Sequence, residues 1–144
     1  MPLVMTNGCF DILHIGHIEL LKHCYQLSKH EGVLVALDSD RRIRELKGET
    51  RPINCFEDRK RMLLAIRYVR WAKGFDTQEE LLQLIETYEP SYLVQGPPVR
   101  TPNPAKQSLM DRWDGKISFM PDKLNSTTNL IRHLDGTTDA RLQT

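Results

Sequence analysis

Five short apolar segments, separated by stretches with helical periodicity, constrain the fold of this 144-residue chain more than any other feature. The segment Gly32–Leu37 contains no polar side chain, which is typical of a strand buried on both faces of a parallel sheet. Four further segments are predicted as strands, at residues 3–5, 69–74, 92–94 and 117–120. Because strands that alternate with helices form parallel sheets, the sequence predicts an α/β domain with a five-stranded parallel sheet and helices on both faces.

Helices are predicted between these strands. Apolar residues from Ile18 to Leu27 mark the first crossover helix, and Thr77 with Glu80 forms a capping box at the start of a later one. The remaining predicted helices cover residues 40–46, 57–68 and 129–134. The segment Gln95–Lys106 holds four prolines and is predicted to be a loop.

Composition excludes several classes of partner. Lys and Arg number 20 against 19 Asp and Glu, so no net field would attract nucleic acid or a membrane surface. Three cysteines without metal-ligand spacing indicate reduced thiols and predict no metal site. With no leader and no apolar run of membrane length, the sequence predicts a cytoplasmic protein. We expect one domain over residues 1–136 and a flexible tail over 137–144.

The stretch Thr6–His17 connects the first predicted strand to the first helix. A helix N-terminus offers unpaired backbone N–H groups and the positive end of a dipole, so it favours an anion such as phosphate. Gly8 and Gly16 would let the backbone approach a ligand closely. His14 and His17 could be ordinary caps or surface residues. If both face one cavity, they can donate hydrogen bonds to phosphoryl oxygens, and the stretch then predicts a nucleotide phosphate site.

This stretch resembles the signature of the cytidylyltransferase-like nucleotidyltransferases, a Gly-x-Phe-Asp loop followed by His-x-Gly-His, here at residues 8–11 and 14–17. Further motifs are similar, in the same order, to the adenylyltransferase domain of ADP-heptose synthesis: Ser-Asp at 39–40, Leu-Lys-Gly at 46–48, Arg-Pro-Ile-Asn at 51–54 and Glu-Asp-Arg at 57–59. The resemblance covers residues 3–134 and implies a Rossmann-like fold for a nucleotidyltransferase domain.

The resemblance implies roles for individual residues. Catalysis is expected from His14, His17, Lys47 and Thr127. The nucleotide is expected to contact Asn7, Gly8, Cys9, Phe10, His14, Gly16, His17, Gln95, Gly96, Ser126, Thr127 and Thr128. The acceptor is expected to contact Asp11, Lys47, Arg51 and Arg100. Glu57 and Arg59 are expected to brace the site, and nothing near Cys9 marks it as a nucleophile.

One segment departs from the pattern. Relatives carry Gly-Gly-Asp or Gly-Asp-Asp after the fourth strand, where this chain has Gln-Gly-Pro-Pro at residues 95–98. The acidic residue is missing and prolines stiffen the loop. We therefore expect a changed choice of acceptor, with Arg100 as a candidate partner for an acidic one.

The expected reaction transfers a nucleotidyl group, AMP from ATP, to a phosphorylated sugar or polyol such as heptose 1-phosphate, and releases pyrophosphate. Mg²⁺ is expected to accompany the triphosphate. We expect a homodimer that binds neither nucleic acid nor membrane. Two alternatives remain open: a CTP-dependent glycerol-3-phosphate cytidylyltransferase, and a non-catalytic nucleotide-binding or sensor protein.

Overall fold

The computed structural model describes residues 2–97 and 99–120. Within them, one parallel sheet has the strand order β3-β2-β1-β4-β5. The strands are β1 (Val4–Gly8), β2 (Val33–Asp38), β3 (Val69–Phe75), β4 (Tyr92–Gln95) and β5 (Lys116–Phe119). The helices are α1 (Ile15–Leu27), α2 (Asp40–Lys47), α3 (Phe56–Leu64), α4 (Gln78–Tyr88) and α5 (Pro104–Asp111). The predicted α/β fold with five parallel strands is confirmed.

The sheet is covered on both faces, as predicted. On one face, α1 and α3 share a core cluster with the sheet, formed by residues such as Leu21, Leu63 and Val35. On the other face, α4 and α5 contribute Leu81, Ile85 and Met110 to a second cluster. Every residue of β2 is buried, which explains why its sequence lacks the polar alternation of a half-exposed strand.

The chain changes direction between β1 and β4, which are neighbours at the centre of the sheet. From β1 the chain proceeds to β2 on one side, and from β4 it proceeds to β5 on the other. The Thr6 hydroxyl ties the two strands by donating to the Val94 carbonyl at 2.8 Å. In open α/β sheets, ligands bind in the crevice at such a switch point. We call residues 9–17 its β1 side, and residues 95–97 with 99–106 its β4 side.

Two helix boundaries differ by three residues or more from the sequence prediction, and one helix was not predicted. Helix α1 begins three residues before Ile18 because His14 caps it, and α3 ends at Leu64 instead of Tyr68. Helix α5 lies partly in the segment predicted as loop. Its start is encoded locally, because the Asn103 side chain accepts hydrogen bonds from the backbone N–H groups of Ala105 and Lys106, and a proline occupies the first turn.

The predicted final helix at 129–134, the Ser126–Thr128 hydroxyls and the predicted tail at 137–144 lie outside the described residues. In the part of the chain that is described, no helix has both the length and the apolar character needed to span a membrane.

Candidate active site

The β1 side of the crevice begins with an unusual backbone conformation at Phe10. Its φ of 48° lies in the left-handed region, which costs energy for a bulky residue. The Phe10 ring is nevertheless 3% exposed and contacts His17 with ring centroids 5.0 Å apart. A Cβ on Gly8 would meet the Phe10 ring at 3.0 Å. Gly8 therefore has an internal reason to be glycine, besides the close approach of a ligand that the sequence suggested.

His14 and His17 fix each other through the N-terminus of α1. The Gly16 backbone N–H donates to His14 Nδ1 at 3.1 Å, and the His14 backbone N–H donates to His17 Nδ1 at 3.2 Å. The two rings stack with centroids 3.8 Å apart. Because an Nδ1 that accepts a hydrogen bond carries no proton, each neutral ring must hold its proton on Nε2. Both histidines are therefore held as Nε2–H donors.

His17 is a neutral donor at physiological pH. Burial lowers its pKa to about 3, and repulsion from His14 in its protonated form and from the Lys47 ammonium acts in the same direction. A group held neutral in the folded protein can donate a hydrogen bond to a phosphoryl oxygen without losing its own proton to solvent. The sequence predicted the proximity of the two histidines but could not predict this charge state.

Lys47 lies close enough to the histidine pair for its charge to act on His17. It is the last residue of α2, and Gly48 ends the helix with a φ of 106°. Its side chain is exposed, yet its charge lowers the pKa of both His17 and Cys9. An exposed ammonium at this position can reach an anion bound in the crevice.

Asp11 has a different role from the contact with the acceptor that the sequence predicts. It is 1% exposed, and its two carboxylate oxygens accept hydrogen bonds from the backbone N–H groups of Ile53 at 2.7 Å and Asn54 at 2.8 Å. Arg51 Nε lies 3.5 Å from the same carboxylate. Asp11 and Arg51 are thus both buried, and their contacts hold residues 51–54 against the β1 side of the crevice. This geometry gives no support to acceptor binding by either residue.

Arg59 braces the site, as predicted. Its guanidinium is fully buried and donates to the carbonyl oxygens of Cys9 and Asp38, each at 2.9 Å. It also donates to the Asn54 carbonyl at 3.0 Å and pairs with Asp40 at 2.7 Å. The Arg59 side chain therefore joins the ends of β1 and β2 to residues 51–54, which Asp11 also contacts. Glu57, the other predicted brace, is exposed.

The Cys9 thiol is unsuited to nucleophilic attack, in agreement with the sequence. Its Sγ donates to Asp38 at 3.5 Å. Burial raises the pKa of the thiol to about 11, and the Asp38 carboxylate contributes in the same direction. The thiol therefore stays protonated at neutral pH.

At the β4 side of the crevice, hydrogen bonds join three polar side chains, and one of them, Lys106, was not predicted to belong to the site. Gln95 donates from its amide to Asn7 Oδ1 at 3.3 Å and accepts from Lys106 Nζ at 3.3 Å. Asn7 and Gln95, both predicted to bind the nucleotide, therefore meet across the switch point. Lys106 is 8% exposed although it lies on a short helix beside a proline-rich loop. A lysine in such a segment carries no sequence signal of burial.

The other predicted residues fall in three groups. Gly16 lies in the first turn of α1, and Gly96 follows β4 at the switch point. Arg100 is exposed on the β4 side. Ser126, Thr127 and Thr128 lie outside the described residues. Within residues 2–97 and 99–120, no group of three His, Cys, Asp or Glu side chains could hold a metal ion.

A family model and curated relatives match most of this chain. The model of a family described as cytidylyltransferase-like matches residues 5–132. The Bifunctional protein HldE of Campylobacter fetus subsp. fetus is 40% identical over 134 residues, which are 93% of this chain and 28% of that protein. The Bifunctional protein HldE of Koribacter versatilis is 39% identical over 130 residues, which are 90% of this chain and 26% of that protein. The chain thus spans about a quarter of the length of these curated relatives.

Two solved structures share the fold. The lipopolysaccharide core biosynthesis protein from Thermoplasma volcanium GSS1 has a TM-score of 0.72 and 24% identity, over 87% of this chain and 99% of that one. A protein with unknown function from Archaeoglobus fulgidus has a TM-score of 0.51 and 18% identity, over 81% of this chain and 94% of that one. At such identities the likeness concerns the fold alone.

Proposed function

Because this chain belongs to the cytidylyltransferase-like family, we propose that it is a nucleotidyltransferase that joins a nucleotidyl group to a phosphorylated small molecule. The observation that supports this most directly is that backbone N–H groups donate to Nδ1 of both His14 and His17, which places two stacked Nε2–H groups at a helix N-terminus. A helix N-terminus with added neutral donors is suited to a phosphoryl group.

In the proposed reaction, an oxygen of the acceptor phosphate attacks the α-phosphorus of the triphosphate. A new P–O bond forms, the bond between the α-phosphorus and the bridging oxygen breaks, and pyrophosphate leaves with the bonding electrons. No covalent intermediate with the protein is needed. Catalysis then depends on positioning the reactants and on stabilising the charge of the transition state.

His14 and His17 would donate to the α-phosphoryl oxygens as charge builds there. A preorganised donor of this kind is worth about 10²- to 10³-fold in turnover. Lys47 would neutralise phosphate charge as a compact cation. Ser126–Thr128, which lie outside the described residues, would hold the leaving pyrophosphate, as the resemblance implies.

Mg²⁺ would enter with the triphosphate. The described residues provide no cluster for it, and the two buried acids of the crevice are already engaged, Asp11 with backbone N–H groups and Asp38 with Arg42 and Cys9. These residues do not form a metal cage, so the ion would be held by phosphates and water.

ATP and a sugar 1-phosphate are the proposed substrate pair. This proposal rests on the resemblance of the Leu-Lys-Gly motif at 46–48 and the Ser-Thr-Thr-Asn motif at 126–129, and on relatives named Bifunctional protein HldE, of which this chain matches about a quarter. A homodimer remains part of the proposal, by the same resemblance.

The test is a matrix of nucleoside triphosphates against phosphorylated sugars and polyols, assayed for pyrophosphate release with product masses measured. We expect the largest rate with ATP and a sugar 1-phosphate. A best rate with CTP and glycerol 3-phosphate would favour the cytidylyltransferase alternative. Triphosphate binding with no turnover in any combination would favour a sensor protein and refute the proposal.

A further inference from the structure

A cavity of about 460 Å³ opens on the β4 side of the crevice, away from the histidine pair. It lies between the N-terminal ends of α4 and α5, and its lining includes Gln78, Gln95, Asn103, Lys106 and Ile117. Small-ligand sites typically have volumes of about 300 to 1,000 Å³, so a sugar phosphate would fit. None of the described residues proposed to act in the reaction, His14, His17 and Lys47, lines this cavity.

Lys106 gives the cavity an unbalanced positive charge. Among the described residues, its ammonium has one hydrogen-bond acceptor, Gln95 Oε1 at 3.3 Å, and no carboxylate within ion-pair distance. An ammonium has three N–H donors, so two remain available. A buried charge without a partner of opposite sign is costly, and an anion that binds beside it removes part of that cost.

The groups around Lys106 do not supply the missing negative charge. Arg42 is close enough to lower the pKa of the Lys106 ammonium, as burial also does. Asp38 acts in the opposite direction, but its carboxylate already pairs with Arg42 at 2.8 Å and accepts from Cys9. The environment therefore contains two cations and one acid that is already engaged, and it favours an incoming anion.

Two hydrogen bonds link the cavity to the end of β1. Gln95 bonds to Lys106 on one side and to Asn7, in β1, on the other. Parallel strands lie about 4.8 Å apart, so a molecule lodged beside Gln95 comes within about one strand spacing of Asn7, in β1. A small acceptor could therefore place one end in the cavity and its reacting phosphate near His14 and His17.

We propose that this cavity holds the non-reacting end of the acceptor, and that Lys106 selects acceptors that carry a second anionic group there. This rests on the proposed nucleotidyl transfer. The second group is an oxyanion, either a carboxylate or a phosphate. Lys106 is then a specificity-determining residue, on the segment where the chain departs from the acidic motif of its relatives.

The experiment compares three acceptors with one sugar ring: glucose 1-phosphate, glucuronic acid 1-phosphate and glucose 1,6-bisphosphate. Each is assayed with ATP in the wild type, in Lys106→Met and in Lys116→Met, which removes an exposed lysine at the amino end of β5 that does not line the cavity. We expect wild-type kcat/KM to be at least about tenfold higher for one of the doubly anionic acceptors, as a charge-assisted hydrogen bond predicts. Lys106→Met should abolish this preference and Lys116→Met should retain it.

Equal use of all three acceptors by the wild type would overturn the proposal, and so would a preference that survives Lys106→Met. If no acceptor reacts, the proposed function fails. Calorimetric measurement of glucose 1,6-bisphosphate binding then tests separately whether the cavity binds an anion through Lys106. About tenfold tighter binding to the wild type than to Lys106→Met would support the cavity proposal, and equal affinity would overturn it.

A melting temperature separates this role from a structural one. Methionine has a similar length and no charge, so Lys106→Met should melt no lower than the wild type if the ammonium serves a ligand. A markedly lower melting temperature would show that Lys106 stabilises the fold and would overturn the proposal.

Discussion

The two sides of the crevice satisfy their polar groups in different ways. On the β1 side, the Asp11 carboxylate and the Nδ1 atoms of His14 and His17 accept hydrogen bonds from backbone N–H groups. On the β4 side, the buried Lys106 ammonium has a single neutral acceptor among the described residues. The β1 side thus holds its polar groups in fixed positions, as the proposed chemistry requires, whereas the β4 side keeps a charge for the proposed recognition of an anion.

The strongest test of this comparison removes the brace of the β1 side. Arg59→Ala deletes a fully buried guanidinium that holds Cys9 and Asp38 by their carbonyl oxygens. We expect a loss of about 3 to 5 kcal/mol in the free energy of unfolding, because Asp40 and several carbonyl groups lose their partner. Chemical denaturation measures it. Arg61→Ala, on the exposed face of the same helix, is the control and should change stability little.

His17→Ala should affect chemistry more than stability. We expect turnover to fall about 10²- to 10³-fold, because a fixed donor to developing charge is lost. Steady-state kinetics with ATP and the best acceptor measures this. His23→Ala, two turns farther along α1, should retain nearly wild-type turnover. A similar loss in both variants would assign the effect to the helix and not to the donor.

The sequence predicted the sheet well because its signals are local and strong. Strand β2 is apolar from Val33 to Leu37, and Thr77 with Glu80 marks the start of α4. Helix α5 was missed because the prolines of 97–104 suggested a loop, although Asn103-Pro104 is itself a start signal.

The candidate site was predicted in part. The His-x-Gly-His spacing brings the two histidines together, and Lys47 lies near them. The bonds from Asp11 to residues 53 and 54, and the burial of Lys106, depend on contacts between distant parts of the chain. No periodicity or motif encodes such contacts, so the sequence could not predict them.

A pH series tests the burial of His17 through the stability of the protein. Its pKa falls from 6.5 in the unfolded chain to about 3 in the folded protein, so the unfolded chain binds more protons between these values. Stability should therefore fall as pH decreases from about 6.5 toward 3. The free energy of unfolding, measured with urea, should fall less between about pH 7.5 and 5 in His17→Gln than in the wild type, because glutamine cannot titrate. The expected difference is about 1 to 2 kcal/mol. An unchanged pH dependence in His17→Gln would contradict the assigned burial.

The smallest expected effect compares two glycines of the crevice. A Cβ on Gly8 would meet the Phe10 ring at 3.0 Å, whereas a Cβ on Gly96 would meet Leu20 at an ordinary 3.4 Å. Gly8→Ala should therefore cost about 1 kcal/mol more than Gly96→Ala, since the Phe10 ring must shift. Thermal unfolding of both variants measures the difference, and equal costs would argue against a tightly packed β1 side.

The central claim is that His17 is held as a neutral Nε2–H donor for a phosphoryl group. Its ¹⁵N chemical shifts report charge and tautomer directly. At about pH 5 we expect the neutral ring with the proton on Nε2, because its pKa lies near 3. We also expect the Nε2 resonance to shift when ATP binds. An imidazolium at about pH 6, a proton on Nδ1, or an Nε2 resonance unchanged by saturating ATP would contradict the account.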